Sequence, residues 1–456
     1  MRILFATAEA SPYSKVGGLA DVAASLPKAL QRLGHEIRVV TPLFRRPGET
    51  GPEIDGEELN LPTTWVGKEL RVSVRQTTSG RVPVYLVDHP PYFQRPAVYG
   101  EQDDLDRYLF FCQVVLELPK ALGWQPDILH GHDWHAAALA FGLRNKAWSD
   151  AFYRPTASVM TIHNLRYRGP HNLVDMLCQA ILYADVISTV SPTYAQEILT
   201  PEYGEGLHTL LGLRRDRLFG ILNGIDYEEF DPATDPLIPA HYDASTPEKK
   251  AFNKAALQER GSLALDPSVP LVGMISRLTE QKGFDLVEQV IESYLESGRF
   301  QFFLLATGEK RYEAFFQELP RRYPGRAAVF LAFDAALAQF IYAGSDFFLM
   351  PSRIEPCGLG QMISLRYGAI PIVRRTGGLA DTIQDCHLDL STGNGFSFTE
   401  YTDWALREAI ERALAAYQQQ DAWRSLVVRA MNQDFSWHAS ARKYVEMYQA
   451  ALVGRS

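Results

Sequence analysis

The sequence predicts an α/β protein built as two doubly wound parallel-sheet domains facing each other across a cleft. Three observations carry this. Short apolar runs alternate with helical patterns along nearly the whole chain, as buried parallel strands joined by crossover helices do. The pentapeptide Gly-Gly-Leu-Ala-Asp occurs twice, at Gly17–Asp21 and Gly377–Asp381, each time between a strand-like run and an amphipathic helix. A chain of 456 residues exceeds what one hydrophobic core holds and fits two domains.

In order, Ile3–Ala6, Ile37–Val40, Val82–Val87, Ile128–His130, Ser158–Thr161 and Val186–Val190 read as strands of a first sheet. Leu271–Ile275, Phe302–Ala306, Ala328–Leu331, Phe347–Met350 and Ile370–Val373 read as strands of a second. Phe230–Pro239, rich in Pro and Asp, is a linker signal, and a charged helix starts near Pro247. The expected division is residues 1–228, then 229–434 for linker and second domain. Phe435–Leu452 reads as an amphipathic helix within 435–456 that returns to the first domain.

A formal net charge of -9 argues against nucleic-acid binding and against an anionic membrane surface. Met1–Ala6 reads as a strand rather than a signal peptide, and no apolar run reaches the length of a membrane span. Cys112, Cys178, Cys357 and Cys386 lie far apart without metal-ligand spacing, which suits reduced thiols in a cytoplasmic protein.

Chemistry-bearing residues gather at strand ends, where open α/β sheets bind ligands. Each glycine pair follows a cation by two residues, Lys15 before Gly17-Gly18 and Arg375 before Gly377-Gly378. Bare N–H groups beside a cation suit an anionic ligand; tight strand–helix turns are the alternative reading. Glu9 lies just upstream of the first pair. His130-Gly-His132-Asp133-Trp-His135 could hold a metal, but two of its histidines alternate on a strand before the chain turns. Sugar or backbone hydrogen bonds fit that pattern better. His163-Asn164 ends another strand, where the pair could polarise a substrate or serve structurally. Arg277 and Lys282 follow Leu271–Ile275, a fork and a point charge that together suit a pyrophosphate leaving group. Glu355-Pro-Cys357-Gly358-Leu359-Gly360-Gln follows Phe347–Met350 and sets a carboxylate beside bare turn N–H groups.

Taken together these residues resemble the bacterial glycogen synthases and plant starch synthases, retaining glucosyltransferases with two Rossmann-like domains (the GT-B type). The resemblance runs from Arg2 to about Tyr448. Its specific pieces are Lys15–Asp21, His132–His135, His163–Leu165, Val190–Ala195, Leu222–Asp226, Arg277–Gly283, Glu355–Leu359 and Arg366–Gly368. It implies transfer of glucose from a nucleotide diphosphate glucose, ADP-glucose favoured, to the non-reducing end of an α-1,4-glucan, with no cofactor and no metal. It also implies roles. Lys15 and Gly18 would line the donor cleft, while Arg277 and Lys282 would hold phosphates. Glu355 would bind the donor glucose, and the backbone of Cys357, Gly358, Leu359 and Gly360 would receive the diphosphate. Phe333 would stack on the base, and His163 would sit beside the anomeric carbon. Asp133, Asn164 and Asn223, with Glu9 and Asp21, would serve sugar and acceptor binding.

Gly360 stands where the family usually has Thr, and Phe333 and Phe93 where it usually has Tyr. The connection from Gly169 to Ile181, which contains Pro170–Cys178, is shorter than in typical bacterial members and bears on the acceptor side. Two alternatives share these features: a related retaining enzyme using UDP-glucose or another nucleotide sugar, and a glucan-binding regulatory protein with a lapsed site. The presence of Lys15, Arg277, Lys282 and Glu355 together speaks against the lapsed site.

Overall fold

The strands predicted from continuous apolar runs all form. In the computed structural model, which describes residues 1–48, 54, 56–170 and 175–454, two α/β units are seen: Met1–Gly224 with Ser436–Ser456, and Ile225–Phe435. The sequence had suggested divisions after residues 228 and 434.

Among the described residues the first unit has nine strands: β1 (Arg2–Ala6), β2 (Glu36–Pro42), β3 (Glu58–Trp65), β4 (Lys68–Ser79), β5 (Val82–Asp88), β6 (Ile128–His132), β7 (Ala157–Ile162), β8 (Val186–Thr189) and β9 (Leu218–Gly220). Their order is β3-β4-β5-β2-β1-β6-β7-β8-β9, with β5 to β9 parallel and β3 and β4 antiparallel at the edge. Ile3 pairs with Ile37 on one side and Ile128 on the other. The order reverses between β1 and β6, so the crevice beyond their C-terminal ends is where such a sheet receives ligands. Thr7–Glu9 and Asp133 lie just past those ends.

The hairpin β3–β4 was not anticipated. Leu59, Leu61, Thr63 and Trp65 are more buried than the exposed Glu58, Asn60, Pro62 and Thr64 between them, and the turn at Val66-Gly67 takes positive φ at both positions, 48° and 71°. A half-buried edge strand alternates and never forms a continuous apolar run. Short β9 was missed too.

The C-terminal helix Trp437–Val453 packs in the first unit. Its Tyr444, Met447 and Tyr448 join Phe5, Val22 and Leu26 in one core cluster, which also includes the helix Gly18–Arg32. Burying such side chains contributes roughly 1.5–3 kcal/mol each.

The second unit has β10 (Leu271–Leu278), β11 (Gln301–Gly308), β12 (Ala327–Phe330), β13 (Phe347–Met350), β14 (Ile370–Arg374) and β15 (Phe396–Phe398). All are parallel, in the order β12-β11-β10-β13-β14-β15. The reversal falls between β10 and β13, whose C-terminal ends lead to Lys282 and Glu355. The charged helix near Pro247 runs Lys250–Arg260 after a single tight turn. Among the described residues no helix is long and apolar enough to cross a membrane. Residues 171–174, within the short 170–178 connection, lie outside the described residues.

Candidate active site

Each unit carries one cluster. In the first, Glu9 is buried and its carboxylate organises the loop ahead of the first long helix. Oε2 accepts from the backbone N–H groups of Val16 at 2.6 Å and Gly17 at 2.9 Å, and Oε1 accepts from the Tyr99 hydroxyl at 2.6 Å. Both oxygens of Glu9 are engaged by the protein, so this carboxylate shapes the loop. Lys15 Nζ donates to Asp21 Oδ1 at 2.6 Å, with both side chains well exposed. Asp21 is therefore the partner of Lys15 in the first turn of the helix. Gly17 and Gly18 are exposed, and among the described residues no side chain caps that helix and a Cβ on Gly17 would meet nothing within 4 Å.

Asp133 follows β6 with φ 57° and ψ -178°, a conformation L side chains rarely adopt, at the strand end that reverses the chain. Its Oδ1 accepts from the His163 backbone N–H at 2.7 Å, tying the end of β6 to the end of β7. Burial, then the charge of Glu9, raises the Asp133 carboxyl to about 7, opposed by the backbone N–H groups of His163 and Asn164.

The histidines separate into different bonds. His130 joins Tyr448 at 2.8 Å and Thr161 at 2.6 Å, and His132 joins His163 at 2.9 Å. His135 packs at a tilt against Tyr99 and Trp134 and edge-on to Tyr108. Burial lowers His130, His135 and His163 to about 3, and takes His132 well below its usual value. Among the described residues no three His, Cys, Asp or Glu side chains are arranged to hold a metal ion. Asn164 Oδ1 caps its own turn through the Arg166 N–H at 3.1 Å. Asn223 is buried, and its Oδ1 has no partner among the described residues.

In the second unit Lys282 Nζ donates to Glu355 Oε2 at 2.6 Å, and the buried Ser352 hydroxyl donates to the same oxygen at 3.0 Å. Oε1 has no protein partner among the described residues. The two loops are sewn together: Arg353 N–H donates to the Gln281 carbonyl at 2.9 Å, and Gln281 Nε2 to the Ile354 carbonyl at 3.2 Å. Gly283 permits the approach, having φ 81° and a position where a Cβ would lie 2.2 Å from the Pro351 carbonyl oxygen. Arg277 is exposed near the end of β10.

The second glycine pair behaves unlike the first. A Cβ on Gly377 would lie 2.1 Å from the Glu355 carbonyl oxygen, and one on Gly378 would lie 2.0 Å from that of Cys357. The Gly378 N–H donates to the Glu355 carbonyl at 3.1 Å. This pair packs directly on the Glu355–Cys357 turn, as the tight strand–helix turn of the alternative reading would.

Residues 2–212 match the family described as Starch synthase catalytic domain, and residues 257–425 match Glycosyl transferases group 1. The glycogen synthase of Moorella thermoacetica is 46% identical over 100% of this chain and 98% of its own length. That of Geotalea daltonii is 44% identical over 99% of each. The chain belongs to the glycogen and starch synthase family. The catalytic domain of Starch Synthase IV from Arabidopsis thaliana, solved bound to ADP and acarbose, aligns with TM-score 0.90 and 35% identity over 99% of both chains. Membership makes the protein a glucosyltransferase of the GT-B fold. Sucrose-phosphate synthase from Thermosynechococcus elongatus, at TM-score 0.66 and 16% identity, shares the fold alone.

The positions that depart from the family pattern differ in their surroundings. A Cβ on Gly360 would approach Phe348 at 3.0 Å and both Met350 and the Tyr342 hydroxyl at 3.3 Å, so a larger side chain there would need its neighbours to shift. Phe93 is buried and packs on Phe44 and Phe110, which calls for no hydroxyl. Phe333 is 87% exposed, a bare ring presented to solvent. Tyr99 and Ser352 went unrecognised in the sequence. Each acts through a carboxylate, Glu9 or Glu355; Tyr99 is distant from its partner in sequence, while Ser352, only three residues before Glu355, could have been suspected.

Proposed function

We propose that this glucosyltransferase moves glucose from ADP-glucose to the non-reducing end of an α-1,4-glucan, retaining the anomeric configuration. The observation that carries this is the Lys282–Glu355–Ser352 constellation at the switch point of the second sheet, in a chain matching glycogen synthases over its whole length. ADP in the Arabidopsis relative supports the adenine nucleotide. Lys282 and Arg277 hold the diphosphate and offset the charge that grows as its bond to the anomeric carbon breaks. Glu355 meets sugar hydroxyls through Oε1, and the turn at Cys357, Gly358, Leu359 and Gly360 receives phosphate oxygens through its backbone. Phe333 stacks on the base. From the first unit, Lys15 and Gly18 serve the donor, and His163 and Asp133 flank the reacting carbon. Asn164 and Asn223 bind sugar hydroxyls, the Asn223 oxygen being the orphan acceptor such a hydroxyl satisfies.

The new C–O bond forms on the face the leaving group departs from, and the proton of the glucan hydroxyl passes to the departing phosphate oxygen. The preorganised dipoles lower the cost of charge separation at the anomeric carbon. Initial rates with ADP-glucose and UDP-glucose on a soluble glucan test the reading. The expected kcat/KM ratio favours ADP-glucose by at least roughly tenfold. A preference for UDP-glucose would transfer the reading to the related enzymes, and no transfer from either, with glucan still bound, would indicate a lapsed site.

A further inference from the structure

His132 and His163 share one hydrogen bond, from Nδ1 of the first to Nε2 of the second, at 2.9 Å. Both rings stay neutral because burial disfavours their charged forms. A neutral imidazole carries a single N–H, so one ring donates and the other accepts. If His163 donated, the proton of His132 would sit on its Nε2, a buried atom without a partner among the described residues. If His132 donates from Nδ1, only a lone pair is left unused there. Orphaned buried N–H groups are rarer than under-used acceptors, so the second arrangement is preferred.

The surroundings hold the donor in place. His132 ends β6 and its ring lies 3.9 Å, centroid to centroid, from that of Phe5 on β1. His130 does not compete, since Tyr448 and Thr161 take both of its nitrogens. His163 is fixed from its backbone by Asp133. Its Nδ1 has no protein partner among the described residues and is not among the atoms shut away from solvent.

We infer that His132 is a positioning residue that fixes His163 as its Nδ1–H tautomer. The ring of His163 then offers a hydrogen-bond donor to a hydroxyl oxygen of the transferred glucose and no lone pair able to act as a base. The contact with glucose rests on the proposed function; the tautomer does not.

Nitrogen-15 spectra of the histidine-labelled full chain test this, with the His163 signals assigned by their loss in His163→Asn. The expected result is a protonated Nδ1 and an unprotonated Nε2 in the unaltered protein. In His132→Leu the constraint is gone, so both tautomers should appear, with kcat lowered roughly tenfold and glucan KM unchanged. In His132→Asn, whose amide N–H can stand where Nδ1 stood, the tautomer and kcat should be restored to within about threefold. An Nε2–H tautomer in the unaltered protein overturns the inference even if the Leu variant fails to fold. So does an unchanged tautomer in a folded Leu variant. Absence of glucosyl transfer by the unaltered protein would instead overturn the proposed function and leave the tautomer assignment standing.

Discussion

Lys282 and Ser352 converge on one oxygen of Glu355, so the protein itself fixes how this carboxylate is turned. On the proposed function, replacing Lys282 or Arg277 by Ala removes a charge-assisted contact to a developing phosphate charge. Each should lower kcat at saturating donor by about a hundredfold, on the order of 3 kcal/mol. Near-normal kcat in either variant would refute the phosphate role. Phe333 allows a cleaner separation of binding from folding, because its ring is 87% exposed and supports little else. Phe333→Ala should raise donor KM roughly tenfold, at about 1–3 kcal/mol for a stacked base, while the unfolding midpoint stays put. Phe333→Tyr should behave like the unaltered protein, and equal donor KM in all three proteins would remove the stacking role.

Two identical pentapeptides at two strand–helix turns are packed differently. Gly17 has open space where a side chain would go, whereas Gly377 has φ 43° and a carbonyl oxygen 2.1 Å from the Cβ position. Gly377→Ala should therefore destabilise the protein by about 3 kcal/mol or more, and Gly17→Ala by no more than about 0.5 kcal/mol. Thermal unfolding of the two variants checks this, and equal losses would contradict it. The sequence could not separate the copies, because what differs is the chain lying across each turn. The same limit governs the rest. The buried parallel strands were legible, since a strand covered on both faces is apolar throughout. The β3–β4 hairpin was not, since an edge strand alternates and its turn carries Val where Asn or Asp is usual. The charged strand-end residues Lys282 and Glu355 were legible as a kind of chemistry. Glu9 was legible as a carboxylate near a loop, but the loop's own N–H groups claim it, and only the fold brings them there.

The C-terminal helix crosses back to complete the first unit, and Tyr448 on it bonds to His130 deep in the sheet. That places a group of buried imidazoles at the heart of this unit, and they set how stability responds to pH. His130, His132, His135 and His163 all have folded-state values depressed below the ordinary 6.5. The folded chain holds them neutral while the unfolded chain protonates them below about 6.5. Their contribution is therefore full above 6.5 and is lost as pH falls toward about 3. Asp133 works the other way. Its folded value is raised to about 7, so what it contributes is present below its unfolded value and is lost as pH rises through about 7. Four imidazoles outweigh one carboxyl, so these groups should take up about three protons on unfolding near pH 5. The unfolding midpoint should fall steadily between pH 7 and pH 5. Asp133→Asn keeps an oxygen for the His163 N–H and the size of the side chain already held there, so this variant should fold. With the opposing carboxyl gone, its midpoint should fall more steeply over the same interval. Calorimetry at a series of pH values reads both slopes. A flat midpoint in the unaltered protein would mean that water reaches these rings, and equal slopes in the two proteins would mean that Asp133 is ionised in the folded state at pH 5.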